Sequence, residues 1–238
     1  MTGKTKTRKT KGNNPGDKAR KLYHQGSDFQ FRHPEILLGA PTSYSLTHDA
    51  KHLAFVLSRY KFCAKMLEGK RKVMEIGSGD GIGLPLIAQS VGHLYCVDWD
   101  ERHIESIRRR LLKNFPNVTV VHHNINTTPP DLKVEAAFAI DVLEHVDPSQ
   151  EKQFLKNIIA CLTPDGILIT GTPNISAASY AAPCSRVQHI NLKSMKTLKE
   201  LMERYFKNVF MFGMNDEVLH TGYGPMCHYL WSIAVGLK

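Results

Sequence analysis

The residues best suited to chemistry are a run of glycines and a carboxylate that follows it. Glu75–Gly81 starts with an acidic residue and continues with glycine at positions 77, 79 and 81. Glycine lets a backbone approach a ligand closely and adopt positive φ angles. The dinucleotide fingerprint Gly-x-Gly-x-x-Gly, counted from Gly77, would need glycine at position 82, where the chain has isoleucine. The run also lacks the Lys-Ser/Thr of a P-loop, so it predicts neither of those two sites.

The carboxylate is Asp98, at the end of the next apolar segment. In nucleoside-binding α/β folds a carboxylate at this place accepts hydrogen bonds from ribose hydroxyls. The alternative is that Asp98 only caps the helix that begins near Glu101. Together with the glycine run, its position favours ribose binding.

Alternating strands and helices must position these residues. A helix with apolar spacings of three and four is predicted over Thr47–Glu68. Beyond it, strand patterns alternate with helical ones, which predicts βαβ units and a parallel sheet. The five predicted strands of this part are Lys72–Ile76, His93–Asp98, Val118–Val121, Ala136–Ile140 and Gly166–Thr170.

The last two predicted strands, Val209–Phe212 and Leu230–Val235, are joined by a loop rather than a helix. Such a connection predicts antiparallel pairing. The expected fold class is therefore α/β: a Rossmann-like, seven-stranded, mostly parallel sheet with an antiparallel C-terminal hairpin and helices on both faces.

Charge divides the chain into two parts. Most of the net charge of +9 lies in residues 1–21, which contain many Lys and Arg residues and the single acid Asp17, and the rest is nearly neutral. We expect residues 1–21 to form a disordered basic tail and residues 22–238 to form one domain. The tail is either a solvated solubility segment or a contact for an anionic surface or nucleic acid.

Cysteine usage and hydropathy indicate the compartment. The five cysteines are widely spaced without a Cys-x-x-Cys pair, which favours reduced thiols in a cytoplasmic protein. No apolar run approaches the roughly 20 residues that span a bilayer, and the N-terminus has no apolar signal region. We expect a cytoplasmic chain without a membrane span.

Successive motifs between about residue 50 and the C-terminus resemble those of class I methyltransferases that use S-adenosylmethionine (SAM). The likeness is greatest to the small-molecule branch with ubiquinone-pathway and sugar O-methyltransferases. It implies SAM as cofactor and a small polar acceptor, most simply a hydroxyl of a sugar or related metabolite. The motifs are Val73–Gly83, Val97–Trp99, Asn124-Ile125, Ile140–Val146 and Leu162–Asn174.

The resemblance also implies cofactor-binding roles. Glu75, Gly77 and Gly79 would line the methionine part of SAM, and Asp98 would hold the ribose. The remaining residues implied to contact SAM are Trp99 beside the adenine, Asn124 and Ile125 near the adenine amino group, and Ile140 after the fourth strand.

Acceptor-side candidates lie in the C-terminal half. Removing a proton from a hydroxyl requires a positioned base, and His is the usual type. His189, between the fifth strand and the next helix, is the first candidate, and helix capping or packing is its alternative. His145 is the second, with a structural role as its alternative. Further substrate-side candidates are Tyr180, Arg186, His220 and Tyr223.

Metal and partner expectations complete the hypothesis. Some ubiquinone-pathway relatives hold a divalent metal at Glu-x-x-Glu-His; here Asp141, Glu144 and His145 occupy that spacing. We predict no metal. The alternative is magnesium at those residues, since Mg²⁺ prefers oxygen ligands such as carboxylates. Rival functions are a nucleic-acid or protein methyltransferase guided by the tail, and a non-catalytic SAM-binding module. The near-neutral body makes a nucleic-acid substrate the weaker interpretation, and the oligomeric state is left open.

Overall fold

The computed structural model describes residues 15–238, which divide into two units after Leu37. The described part of the first unit contains helix α1, Pro15–Phe31. Residues 15–21, the end of the predicted tail, are helical in this structure. Residues 1–14 of that tail lie outside the described residues. Helix α1 leaves Tyr23 and Phe29 exposed.

The second unit begins with helices α2, Ala40–His48, and α3, Ala50–Met66. The single helix predicted from Thr47 is therefore interrupted, because Asp49, with φ of −150° and ψ of 70°, is not helical and separates α2 from α3. The buried face of α3 carries Tyr60 and Cys63. Pro41 in the first turn of α2 suits a helix start, where its missing N–H is not needed.

Strands and helices then alternate as expected. The apolar strand segments are nearly continuous because both faces of a parallel sheet are covered. The elements are β1 (Lys72–Ile76), α4 (Leu84–Ala88), β2 (His93–Asp98), α5 (Glu101–Arg110), β3 (Val118–His122), β4 (Val134–Ile140), α6 (Glu151–Cys161) and β5 (Leu162–Pro173).

The C-terminal part departs from this alternation. Its elements are α7 (Pro183–Gln188), α8 (Met195–Glu203), β6 (Phe206–Asn215), β7 (Val218–His220) and β8 (Tyr229–Leu237). The antiparallel pairing predicted for the last two segments is present between β6 and β8.

All strands join one sheet of order β3-β2-β1-β4-β5-β8-β6-β7. It has eight strands rather than the expected seven, because β7 adds a short antiparallel pairing to β6. Strand β1 pairs in parallel with both β2 and β4, so the strand order reverses there. Ligands of open α/β sheets bind at the carboxyl ends of strands beside such a reversal.

The core lies on both faces of the sheet. Successive residues of a strand point to opposite faces. Val73 packs with α3, α4 and α5, whereas Met74 packs with α6 and α8. Cys63, Cys96, Cys161 and Cys227 are buried free thiols. Within residues 15–238, no helix is long and apolar enough to cross a bilayer.

Candidate functional site

The glycine run forms a sharp turn between β1 and α4. Gly77, Gly79 and Gly81 have φ angles of 73°, 52° and 80°. A Cβ atom on Gly77 would lie 2.4 Å from Cγ2 of Val142. Glycine at position 77 is thus required both by the backbone angle and by the space that Val142 leaves.

Two carboxylates hold this turn in place. Gly79 N–H donates to Oδ2 of Asp98 at 2.9 Å, and Asp100 N–H donates to its Oδ1 at 2.9 Å. The Asp80 carboxylate accepts from the backbone N–H and the hydroxyl of Thr42, each at 2.9 Å. The turn is therefore tied to the end of β2 and to helix α2.

A cleft of about 390 Å³ opens above this turn, and we call it the glycine-loop cleft. It lies at the carboxyl ends of β1, β2 and β4, where the strand order reverses. Trp99 forms an exposed wall. Six of the residues predicted to contact the cofactor line it: Gly77, Gly79, Asp98, Trp99, Asn124 and Ile125.

Two predicted residues do not line this cleft. Glu75 is 1% exposed and lies behind the turn, where its Oε1 accepts from the Tyr60 hydroxyl at 2.7 Å. Burial raises the pKa of Glu75 to about 7, and hydrogen bonds from Tyr60 and Cys96 partly oppose that rise. Ile140 is buried within β4, and the next two residues reach the cleft instead.

A second cleft, of about 520 Å³, adjoins the first and shares Asp141 and His145 with it. We call it the histidine cleft. Helix α3, the segment after β4, the segment between β5 and α7, and the start of β8 all contribute to it. Three of the predicted acceptor-side residues, His145, Tyr180 and His189, line it.

The other three predicted acceptor-side residues do not line the histidine cleft. Arg186 is exposed, and its Nε donates to the carbonyl of Ala181 at 2.9 Å. His220 ends β7 and accepts at Nδ1 from the N–H of Gly222 at 3.0 Å. Tyr223 is 72% exposed and lines a separate apolar groove beside α8.

The sequence interpretation missed Arg59, which lines the histidine cleft and pairs with Asp141, a residue that both clefts share. Its Nη1 is 2.6 Å from Oδ2 of Asp141, and its guanidinium carbon is 3.9 Å from the ring centroid of Tyr229. Arg59 lies on the apolar stripe of α3, between Val56 and Cys63. The sequence signal that could have identified Arg59 is its positive charge within the apolar face of this helix.

A polar cluster lines part of the histidine cleft. Glu144 is fully buried; its Oε2 accepts from the Thr172 hydroxyl at 3.0 Å, and its Oε1 has no hydrogen-bond partner among the described residues. Burial, with the nearby charge of Asp141, raises the pKa of Glu144 well above its usual value. The rings of His145 and His189 are 5.0 Å apart, and burial lowers the pKa of His189.

The metal set implied by the family motif does not assemble. Asp141 has a left-handed φ of 56° and is paired with Arg59. The ion pair occupies Oδ2 of Asp141. The three side chains whose ligand atoms come within 4.8 Å of one another are instead Glu144, His145 and His189.

Known proteins share this architecture and these motifs. A family model described as a methyltransferase domain matches residues 47–208. A probable S-adenosylmethionine-dependent methyltransferase of Mycolicibacterium smegmatis is 32% identical over 105 residues, which are 44% of this chain and 38% of that protein. A ubiquinone biosynthesis O-methyltransferase of Rickettsia akari is 27% identical over 113 residues, 47% of this chain and 44% of that protein. The chain thus spans less than half the length of either relative.

A solved structure shows the same fold. The N-methyltransferase NodS of Bradyrhizobium japonicum, in complex with S-adenosyl-L-homocysteine, has a TM-score of 0.59 and 15% identity. The match covers 82% of this chain and 92% of NodS. Because the family model spans more than half of the chain, the protein belongs to the methyltransferase-domain family and has the class I fold of enzymes that use S-adenosylmethionine.

Proposed function

We propose that the protein transfers the methyl group of SAM to a hydroxyl of an uncharged small molecule, such as a sugar or a related metabolite. The observation that carries this proposal is the junction of the two clefts at Asp141 and His145. A cofactor in one cleft and an acceptor in the other would meet there. Methyl transfer depends mainly on such alignment of the reacting atoms.

The glycine-loop cleft suits the cofactor. The Gly77–Gly79 backbone leaves room for the methionine part of SAM. Each Asp98 oxygen accepts one backbone hydrogen bond and retains capacity for a ribose hydroxyl. Trp99, with the Asn124-Ile125 segment, borders the part of the cleft that would take adenine. Glu75 supports the turn from behind through the hydrogen bond that it accepts from Tyr60.

The charge of the histidine cleft favours an uncharged acceptor. Among its described lining residues Arg59 is the one Lys or Arg, and Asp141 already pairs with it. A phosphate or carboxylate group would find no free cation of that kind. Among the described residues Glu144 Oε1 has no hydrogen-bond partner, which suits an acceptor that donates a hydroxyl hydrogen bond. A cleft of 300–1,000 Å³ is typical for a small ligand.

His189 and His145 are the proposed catalytic residues. Both line the histidine cleft, and His145 also lines the glycine-loop cleft. An imidazole there would orient the acceptor hydroxyl and remove its proton as the methyl group is transferred. The Rickettsia relatives are O-methyltransferases by name, which is consistent with an oxygen acceptor. The cytoplasmic location stays a prediction.

A panel of acceptors tests the proposal. The protein is incubated with SAM and, in separate reactions, with neutral glycosides, sugar phosphates, short RNA and a basic peptide, and S-adenosylhomocysteine release is measured. We expect turnover with neutral glycosides above that with their phosphorylated forms. Turnover confined to RNA or peptide would contradict the proposal, as would SAM binding without turnover on any of them.

A further inference from the structure

Helix α1 carries an exposed apolar face. Leu22, Tyr23 and Phe29 are 59%, 65% and 68% exposed. Residues three, four and seven positions apart lie on the same side of a helix, so these side chains form one stripe with the exposed residues Ala19 and Gly26. The stripe is about 15 Å long at the rise of an α-helix. We call it the α1 apolar face.

The exposure pattern of α1 is the reverse of that of a helix packed on its own domain. Such a helix buries its apolar stripe and exposes its polar side. Among residues 16–31, the buried one is Ser27, which is not part of the α1 apolar face. The Ser27 hydroxyl donates to the carbonyl of Tyr23 at 2.8 Å. The apolar side chains of α1 are therefore available to a partner, and contiguous exposed apolar side chains mark protein or membrane contacts.

Positive charge accompanies this apolar face. Residues 1–21 contain eight Lys and Arg residues and one acid, Asp17. Three of the eight, Lys18, Arg20 and Lys21, lie in α1 and are exposed. Lys18 is one helical turn before Leu22, at the edge of the α1 apolar face. A complementary partner must therefore offer negative charge beside an apolar phase.

We propose that α1 and the basic residues before it bind the surface of a membrane that contains anionic lipids. Interfacial helices lie in the plane of the membrane, with their apolar side chains about 5–10 Å deep at the boundary of headgroups and acyl chains. Their Lys and Arg side chains stay at the level of the lipid phosphates. Apolar insertion and a polybasic segment together give reversible attachment, so no membrane-spanning helix is needed.

A nucleic acid satisfies only one of these two features. Its phosphates would pair with Lys18, Arg20 and Lys21, and that attraction would depend on charge alone. Leu22 and Phe29 would remain in water. The exposed apolar face thus favours a lipid surface over RNA or DNA as the partner of this segment.

Vesicle sedimentation tests the inference without SAM or acceptor, so its result is independent of the proposed reaction. The tag-free full chain is mixed with vesicles of phosphatidylcholine, or of equal parts of phosphatidylcholine and phosphatidylglycerol. We expect binding to the anionic vesicles to be at least about 10-fold tighter, and to weaken as salt is added. S-adenosylhomocysteine binding, measured separately, tests the cofactor cleft.

Two sets of variants separate the apolar and the charged contributions. Leu22→Ser combined with Phe29→Ser should weaken binding to anionic vesicles by at least about 10-fold, because less apolar surface leaves water. Lys18→Gln combined with Lys21→Gln should weaken it by about 5- to 25-fold. Val218→Ser, which changes an exposed apolar residue of β7, is the matched control and should leave binding unchanged. Circular dichroism checks that each variant folds.

Three results would overturn the inference. One is the absence of binding to anionic vesicles, and another is full binding by the variant with serine at positions 22 and 29. The third is tight binding of a short RNA, unchanged in that variant, that prevents vesicle binding altogether; it would identify nucleic acid as the partner of the segment.

Discussion

The glycine-loop cleft and the histidine cleft meet at two residues but are built in different ways. The first is shaped by backbone: a turn with three positive φ angles and the carboxyl ends of adjacent parallel strands. The second is shaped by side chains from α3, the turn after β4, the segment around α7 and the start of β8. A cofactor shared by a whole family can be held by backbone shape, whereas acceptor recognition depends on side chains that tertiary packing assembles.

This difference predicts separable effects. Changes in the glycine-loop cleft should alter cofactor affinity, and changes in the histidine cleft should alter turnover while cofactor affinity persists. A substitution in the histidine cleft that lowered cofactor affinity, or one in the glycine-loop cleft that changed turnover alone, would contradict this distinction.

The largest expected effect is on turnover. His189→Ala should lower kcat by about 10²- to 10⁴-fold, because the acceptor hydroxyl loses the group that activates it. S-adenosylhomocysteine affinity, measured by calorimetry, should stay within about twofold. His93→Ala, a histidine that lines neither cleft, is the control. Wild-type kcat and KM in His189→Ala would remove this residue from the site.

The acidic residue behind the glycine turn should affect stability. The pKa of Glu75 is about 7 in the folded protein and about 4.5 in an unfolded chain. Folded protein therefore holds a proton that unfolded protein releases between these values, so stability falls as pH rises through that window. In the wild type the free energy of unfolding should fall by roughly 3 kcal/mol as pH rises through that window, and Glu75→Gln should abolish this fall.

Urea unfolding near pH 5 and pH 8 measures this loss, and Gln can still accept from Tyr60. The exposed Glu217→Gln is the matched control. Equal pH dependence in the wild type and Glu75→Gln would argue against a buried carboxyl that titrates near neutrality.

Gly77→Ala should weaken S-adenosylhomocysteine binding by roughly 100-fold, since a Cβ there meets Val142 and the positive φ is strained. Gly26→Ala, where a Cβ has open space, is the matched control. Restoring affinity with Val142→Ala added to Gly77→Ala would show that the steric contact matters. An unaltered affinity in the single variant would contradict the assignment of this turn to the cofactor.

Asp98→Ala should weaken cofactor binding by about 1.5–3 kcal/mol, since charge-assisted hydrogen bonds to the ribose and to the Gly79 N–H are lost. Calorimetry with SAM or S-adenosylhomocysteine measures the change. Tight binding of NAD by the wild type, with none of SAM, would refute the cofactor assignment.

The smallest effect is expected from the N-terminus. Deleting residues 1–21 should shift the melting temperature by less than about 2 °C, because this polar segment has little apolar surface to bury. Both clefts are lined by residues beyond position 51. A drop of many degrees would show that the segment stabilises the domain.

Local patterns predicted the strands and the glycine turn, because apolar runs and glycine spacing act over a few residues. They placed β2 at its observed bounds and missed α1 and α2, whose many polar residues carry no strong periodicity, and β7, which has only three residues. The acceptor side was harder to predict. Arg186, His220 and Tyr223 follow loops whose direction depends on tertiary packing, and Arg59 is remote from its partner Asp141 in sequence.

The position of β8 within the sheet has a consequence for the order in which the molecule can be completed. Strand β8 pairs with β5 on one side and with β6 on the other. During synthesis the parallel strands can pair once β5 has emerged. Strands β6 and β7 cannot join this sheet until β8, Tyr229–Leu237, has been made, because β8 lies between β5 and β6. Until then β5 presents an open edge, which is the kind of surface that chaperones must shield. A nascent chain is therefore expected to acquire its cofactor half first and its acceptor half last.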